Sequence, residues 1–355
     1  MRSKKTVFLI ALLGIFSLGS RLDNGAVYSS IINPVNMYLY DTILLVSDSV
    51  AGIHVYSVKN GSAPAFRMRI PLRGNNGVAM KGNVIYANSY GSIVTIRLTG
   101  PSTYEVSSYI KGTPTYAMDE GTGLSCDPFG SPPAPVAASS SGSGGSYAVF
   151  AVIDSYLYYL DGSNVVTLDI SNPQSPQQLS QTYVDWSAET LFPTQKYLFV
   201  GGESGMYVLD RSNPANLTEI GTVSHFRAYD PVVVSDTVAF VSLRMGNDSK
   251  VVQDEVLSVS LSSMANPYII SELSLSTPYG VAVSDSLLYV AQGYNGFALY
   301  NVKNPQQMTA VASWATPSVK DFVWAGNRLY VMTFGEIMIY DVTNPSAPAL
   351  LSTIQ

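Results

Sequence analysis

Seven residues stand at equivalent points of this sequence, each just ahead of or opening a short apolar run: Asn36, Asn76, Glu189, Asp230, Tyr279, Lys320 and Asp321, with Arg73 and Trp186 close by. Glu189, Asp230 and Asp321 are the residue types for carboxylate chemistry, which needs two acids at a defined separation, one of them with a raised pKa. The same set without a reaction would make a pocket for a ligand, a sugar or a cation. Other chemistry is thin. His54 and His225 lie far apart and lack the spacing of a zinc hydrolase. Asp119, Glu120 and Asp127 are too sparse for a calcium loop, which wants oxygen ligands at tight alternating spacing around a glycine turn. Neither G-x-S-x-G nor D-x-D-x-D-G occurs. With Trp186, Trp314 and Trp324 as its only tryptophans, the chain is not built to stack a large cofactor. No metal and no cofactor is therefore expected.

The elements that must position these residues are short. Runs of four to seven residues rich in Val, Leu, Tyr and Phe are punctuated by Ser, Asp, Gly, Asn and Pro, the grammar of strands and turns, and no helical period survives. Several runs are apolar without alternation (LLYVA at Leu287, YLFVG at Tyr197, VAFV at Val238), as expected of sheets covered on both faces. Within each unit the third strand begins at Gly52, Ser92, Asn164, Gly205, Glu255, Gly296 and Glu336, at spacings of 40, 72, 41, 50, 41 and 40. Two further strands recur ahead of each. A period of about 40 residues with four strands is that of a propeller blade, because one four-stranded sheet cannot bury both faces until neighbours stack around a ring. The sequence thus predicts an all-β, seven-bladed β-propeller of four-stranded antiparallel blades. The first strand of each blade would line the channel, gathering the residues named above at one mouth.

A third strand followed by Asn-Pro, as in VVTLDISNPQSP at Val165, YVLDRSNP at Tyr207, ALYNVKNP at Ala298 and MIYDVTNPSAP at Met338, resembles the LVIVD repeat of bacterial and archaeal surface and envelope proteins. The resemblance runs over nearly all of the chain after Val35. It weakens in the second and fifth units, where SIVTIRLTGPS and EVLSVSLSSMANP lack the Asp and the immediate Asn-Pro. It implies a propeller at the cell surface and no particular chemistry.

Residues 1–20 read as an export signal, with Arg2, Lys4 and Lys5 ahead of an apolar stretch and small residues at Ser17, Gly19 and Ser20. Arg21 occupies the position where a lipid-bearing cysteine would stand, so lipidation there is excluded. The propeller then spans 21–355, with a Ser/Gly/Pro-rich insertion at 112–146 expected to form a flexible loop on one rim. Ala26 to Ile31 is a candidate to close the ring beside Ala349 to Ile354. A net charge of −6 argues against nucleic acid, and a single cysteine, Cys126, excludes an intrachain disulfide. Two functional readings follow. One is an exported, non-enzymatic binding or scaffold module, periplasmic, surface-bound or secreted, with protein or envelope glycan as partner. The other is an envelope enzyme or carbohydrate-binding propeller using the acidic channel mouth.

Overall fold

A computed structural model describes residues 30–59, 63–110, 142–146, 148–225, 231–244, 254–316 and 318–355, with the side chains of 107–110 left aside. Its strands form seven antiparallel sheets, each a blade drawn from one contiguous stretch, 34–70, 78–110, 150–183, 188–224, 232–274, 281–314 and 319–354. This is the expected seven-bladed β-propeller. Neighbouring inner strands pack in sequence around the ring, and Val319–Ala325 of blade 7 meets Pro34–Tyr40 of blade 1.

Recurring local chemistry explains why the sequence repeats. The tight turn between first and second strands needs a left-handed residue, and Asp41, Asp154, Asp236 and Asp285 supply it at φ 50 to 55°. Gly82 and Gly326 do so in blades 2 and 7. Between third and fourth strands, the Asn side chain before Pro accepts the N–H two residues on, as Asn304 does from Gln306 at 3.2 Å and Asn344 from Ser346 at 3.2 Å. The Asp ending the third strand performs the same task one step earlier: Asp169, Asp210 and Asp341 accept the N–H of Ser171, Ser212 and Thr343 at 2.7 to 2.8 Å. Those bonds hold the three carboxyls below their ordinary range, Asp341 at about 2. In every blade a bulge interrupts the pairing of third and fourth strands, which adds twist where the blade meets solvent.

In blades 3, 6 and 7 the proline of this turn has a second use. Its carbonyl accepts a hydrogen bond from the preceding blade: Tyr86 hydroxyl to Pro173, Ser258 and Ser271 to Pro305, and Tyr289 hydroxyl to Pro345 at 2.6 Å. Blade 2, which lacks Asn-Pro, offers Pro101 O to the Arg67 guanidinium of blade 1 at 2.9 Å. Blade-to-blade packing is otherwise apolar. Tyr289 lies between Phe297, Phe322 and Trp324, its ring 4.9 Å from that of Trp324.

Ala349–Ile354 is the outer strand of blade 7 and, among the described residues, pairs with Ile337–Asp341. Residues 26–29 of the proposed partner segment lie outside the described residues. A shared apolar core joins blades 1 and 7, including Ile31, Met37, Val46, Val323, Met332 and Ile354. The insertion departs from the rim at its described end. Ser143–Gly144 pairs antiparallel with the inner edge of Pro34–Tyr40, Tyr38 opposite Gly144 and Leu39 opposite Ser143, which places a short fifth strand in the channel.

Removing the Tyr289 hydroxyl by Tyr289→Phe should cost about 1 kcal/mol, the net worth of one hydrogen bond. Tyr289→Ala should cost about 3 to 5 kcal/mol, as truncation of a large buried ring does. Urea unfolding of the two variants checks this pair; equal losses would show that the bond to Pro345 carries the whole effect.

Candidate functional site

The antiparallel strand order puts the starts of inner strands, the turns between second and third strands and the ends of outer strands on one face, the channel mouth. The structure brings together Tyr279, Lys320 and Asp321 there, at the junction of blades 6, 7 and 1. Asn76 and Arg73 lie on the same face ahead of blade 2 and Trp186 ahead of blade 4, apart from this junction, and Asp230 lies outside the described residues.

Asp321 is fully buried, and its partner is Ser146 from the insertion. Ser146 donates its backbone N–H to both carboxyl oxygens, at 3.2 and 3.1 Å, and its hydroxyl to Oδ1 at 3.0 Å. The same hydroxyl accepts the Val281 N–H of blade 6 at 2.8 Å. One small side chain thereby joins the insertion to blades 6 and 7, while Gly144 and Gly145 hold it to blade 1. Small residues are required along this path. A Cβ on Gly142 would lie 2.2 Å from the Tyr38 ring, and one on Gly280 2.0 Å from Asp321 Oδ1. Burial pushes the Asp321 carboxyl well above its ordinary value, opposed by the bonds from the Phe322 backbone and Ser146.

Lys320 occupies a bulge between Val319 and Asp321 that turns its side chain toward the neighbouring blade. Its ammonium donates to Pro34 O of blade 1 at 3.1 Å and sits 4.6 Å over the Phe334 ring. Burial lowers its pKa to about 8, with the Asp48 carboxylate pulling the other way. Asp48 is itself buried and accepts four backbone N–H groups, from Ile32, Asn33, Val50 and Ala51, at 2.6 to 2.9 Å. His54 lies 3.9 Å from Asp48, fully enclosed, and burial lowers its pKa. Tyr279 is buried under the Arg244 guanidinium at 4.3 Å, with the Phe334 ring edge-on at 6.0 Å.

The remaining predicted residues are engaged locally. Asn36 is 1 % exposed, and its Oδ1 has no hydrogen-bond partner among the described residues. Asn76 is exposed and pairs reciprocally with Asn88. Glu189, in a bulge of the blade 4 inner strand, is partly buried. The backbone carbonyl of exposed Arg73 accepts from the Ser89 hydroxyl. Trp186 is half exposed and its indole N–H donates to Ser204 Oγ at 3.0 Å. Sequence reasoning missed Ser146, Phe334 and Arg244. The glycine-rich run before Ser146 was a usable signal, since small residues mark close approach as well as flexibility. Among the described residues, no group of three His, Cys, Asp or Glu side chains is placed to hold a metal ion, and no helix is long and apolar enough to cross a membrane.

The LVIVD repeat model matches at residues 144–184, 194–225 and 318–355, stretches of blades 3, 4 and 7 and the channel segment that leads into blade 3. The chain is a seven-bladed β-propeller that carries LVIVD repeats in three of its blades. Comparison with curated proteins finds no match. Among solved structures, the chain is similar to BamB from Moraxella catarrhalis, at 10% identity and TM-score 0.58 over 86% of this chain and 82% of that one. A periplasmic gluconolactonase from Pseudomonas aeruginosa shares 11% identity at TM-score 0.60, covering 91% and 96%. A protein from Lactobacillus plantarum shares 13% at TM-score 0.62, covering 90% and 96%. These likenesses speak to the fold alone.

Ser146→Ala should cost about 1 to 3 kcal/mol, because Val281 N–H loses its acceptor and Asp321 a donor inside a dry site. Asp321→Asn keeps an acceptor for Ser146 and removes the titration. Since the folded carboxyl is raised, the folded state holds a proton that the unfolded chain has released above its ordinary 3.8, and the group's contribution falls as pH rises from there. The stability of the native protein relative to Asp321→Asn should therefore decline from about pH 4 upward, measured by denaturant unfolding across pH. A flat difference would show that the carboxyl is not buried as described.

Proposed function

We propose that this protein is an exported, non-enzymatic β-propeller that acts as a binding or scaffold module at the cell envelope, recognising protein or glycan through its mouth face. One observation carries the reading: exposed large apolar side chains are distributed unevenly between the two faces. Ile32, Val50, Tyr90, Tyr183, Trp186 and Tyr294 all stand on the mouth side, with Tyr90 and Tyr294 about 70% exposed. Every other such side chain lies along an outer strand, and among the described residues none occupies the turns of the opposite face, which carry Asp, Ser and Asn-Pro. Aromatic side chains left in water on one face of a rigid scaffold are the usual mark of a recognition surface.

The channel supports the same reading. Carboxylate chemistry through Glu189, Asp230 and Asp321 would require the Asp321 carboxyl to meet a substrate, and Ser146 occupies its oxygens. The export half of the proposal rests on the basic and apolar pattern of residues 1–20.

A photoreactive residue placed at Tyr90 or Tyr294 should give adducts in native cells, and one placed at Lys303 or Ser346 on the opposite face should give none. Adducts from the opposite face alone, or from neither, would overturn the assignment of the face. Recovery of the protein in the cytoplasmic fraction with residues 1–20 intact would overturn export.

A further inference from the structure

We infer that the mouth rim at blades 3 and 4 is a saccharide-binding platform built on Trp186, with specificity for neutral or N-acetylated sugars over acidic ones. The inference rests on the binding-module reading above and names the ligand class and the place. Trp186 is 50% exposed, yet its ring is fixed. The indole N–H is bonded to Ser204 Oγ at 3.0 Å, its backbone N–H to Asp185 Oδ1 at 2.7 Å, and its carbonyl accepts the Ser163 hydroxyl at 2.9 Å. Asp185 is buried and also accepts the Ser204 N–H at 3.1 Å, so the residue preceding the tryptophan is itself anchored. A flat apolar face presented to water without rotamer freedom loses no side-chain entropy when a ligand stacks on it. The other two tryptophans serve the core: Trp314 stacks on Phe297 at 4.9 Å and Trp324 is 7% exposed.

The surroundings choose the ligand. A protein hot spot is an aromatic anchor ringed by contacts that exclude water. Around Trp186 stand partly exposed polar groups instead: Ser163 and Ser204 are bonded to it, Ser187 follows it in the chain, and the Glu203 N–H donates to Ser187 O at 3.1 Å. Exposed Tyr183 flanks the same turn of blade 3, opposite Asn164. An aromatic plate beside hydroxyl and carboxylate acceptors matches a pyranose, with one apolar C–H face and a ring of hydroxyl donors. The nearby carboxylates and the net charge of −6 disfavour anionic sugars.

The test is titration of the intact protein with chitohexaose, cellohexaose and hexagalacturonate, read by tryptophan emission and calorimetry. A saturable response to a neutral oligosaccharide is expected, with none to hexagalacturonate. Trp186→Ala should weaken it by about tenfold or more with an unchanged unfolding midpoint, Trp186→Phe should retain most of it, and Ser204→Ala should weaken it several-fold by freeing the ring. No response to either neutral sugar, an equal response in Trp186→Ala, or a response to hexagalacturonate alone would overturn the inference. Protein adducts from the mouth face together with silence toward both neutral sugars would remove the saccharide platform and leave the binding module standing.

Discussion

Each blade leaves two apolar faces that only neighbouring blades can cover, and this requirement governs the rest of the molecule. Inner, second and third strands are buried almost throughout, while the fourth is exposed over most of its length, so the sheet is finished at its outer edge and unfinished on its flanks. A linear stack would leave two open ends. The ring removes them, and the proline carbonyls show how neighbours are held in register: a turn within one blade presents an acceptor that the blade before it fills. The frequency of tyrosine has a physical reason here. Its ring packs between blades and its hydroxyl reaches across to that acceptor.

The same accounting explains why the LVIVD motif carries so little information about function. Its aspartate, an acid recurring at the end of a strand, is bonded to the backbone two residues on in blades 3, 4 and 7, and Asn301 does the same in blade 6. The asparagine before proline is likewise spent on its own turn. Polar residues that recur with the repeat build it, and those that occur once, such as Ser146 and Trp186, are where individuality lies.

The fold was legible because its signals are local and repeated. Turn residues, strand length and the 40-residue period all act within a blade, and seven copies average out the exceptions in blades 2 and 5. The site was legible only in part. Register alone placed Tyr279, Lys320 and Asp321 at one mouth. Nothing in the local sequence of Asp321 revealed that a serine 175 positions away would seal it. The run SSSGSGGS has the composition of a linker, and what makes its end a packed strand is the edge of blade 1 and the partners of Ser146 on blades 6 and 7, which only the closed ring brings together.

The place of this segment in the chain has a consequence for the order of assembly. Synthesis proceeds from the N-terminus, so blade 1 and the channel segment both exist before blade 7 is made. Ser143 and Gly144 find their pairing partner in a blade already complete, and Ser146 then projects from that edge as a fixed acceptor and donor. Val281 and Asp321 of the last two blades then meet a surface already in place. The channel segment is in this sense a template, a piece of the inner wall laid down early that tells the final blades where the circle ends.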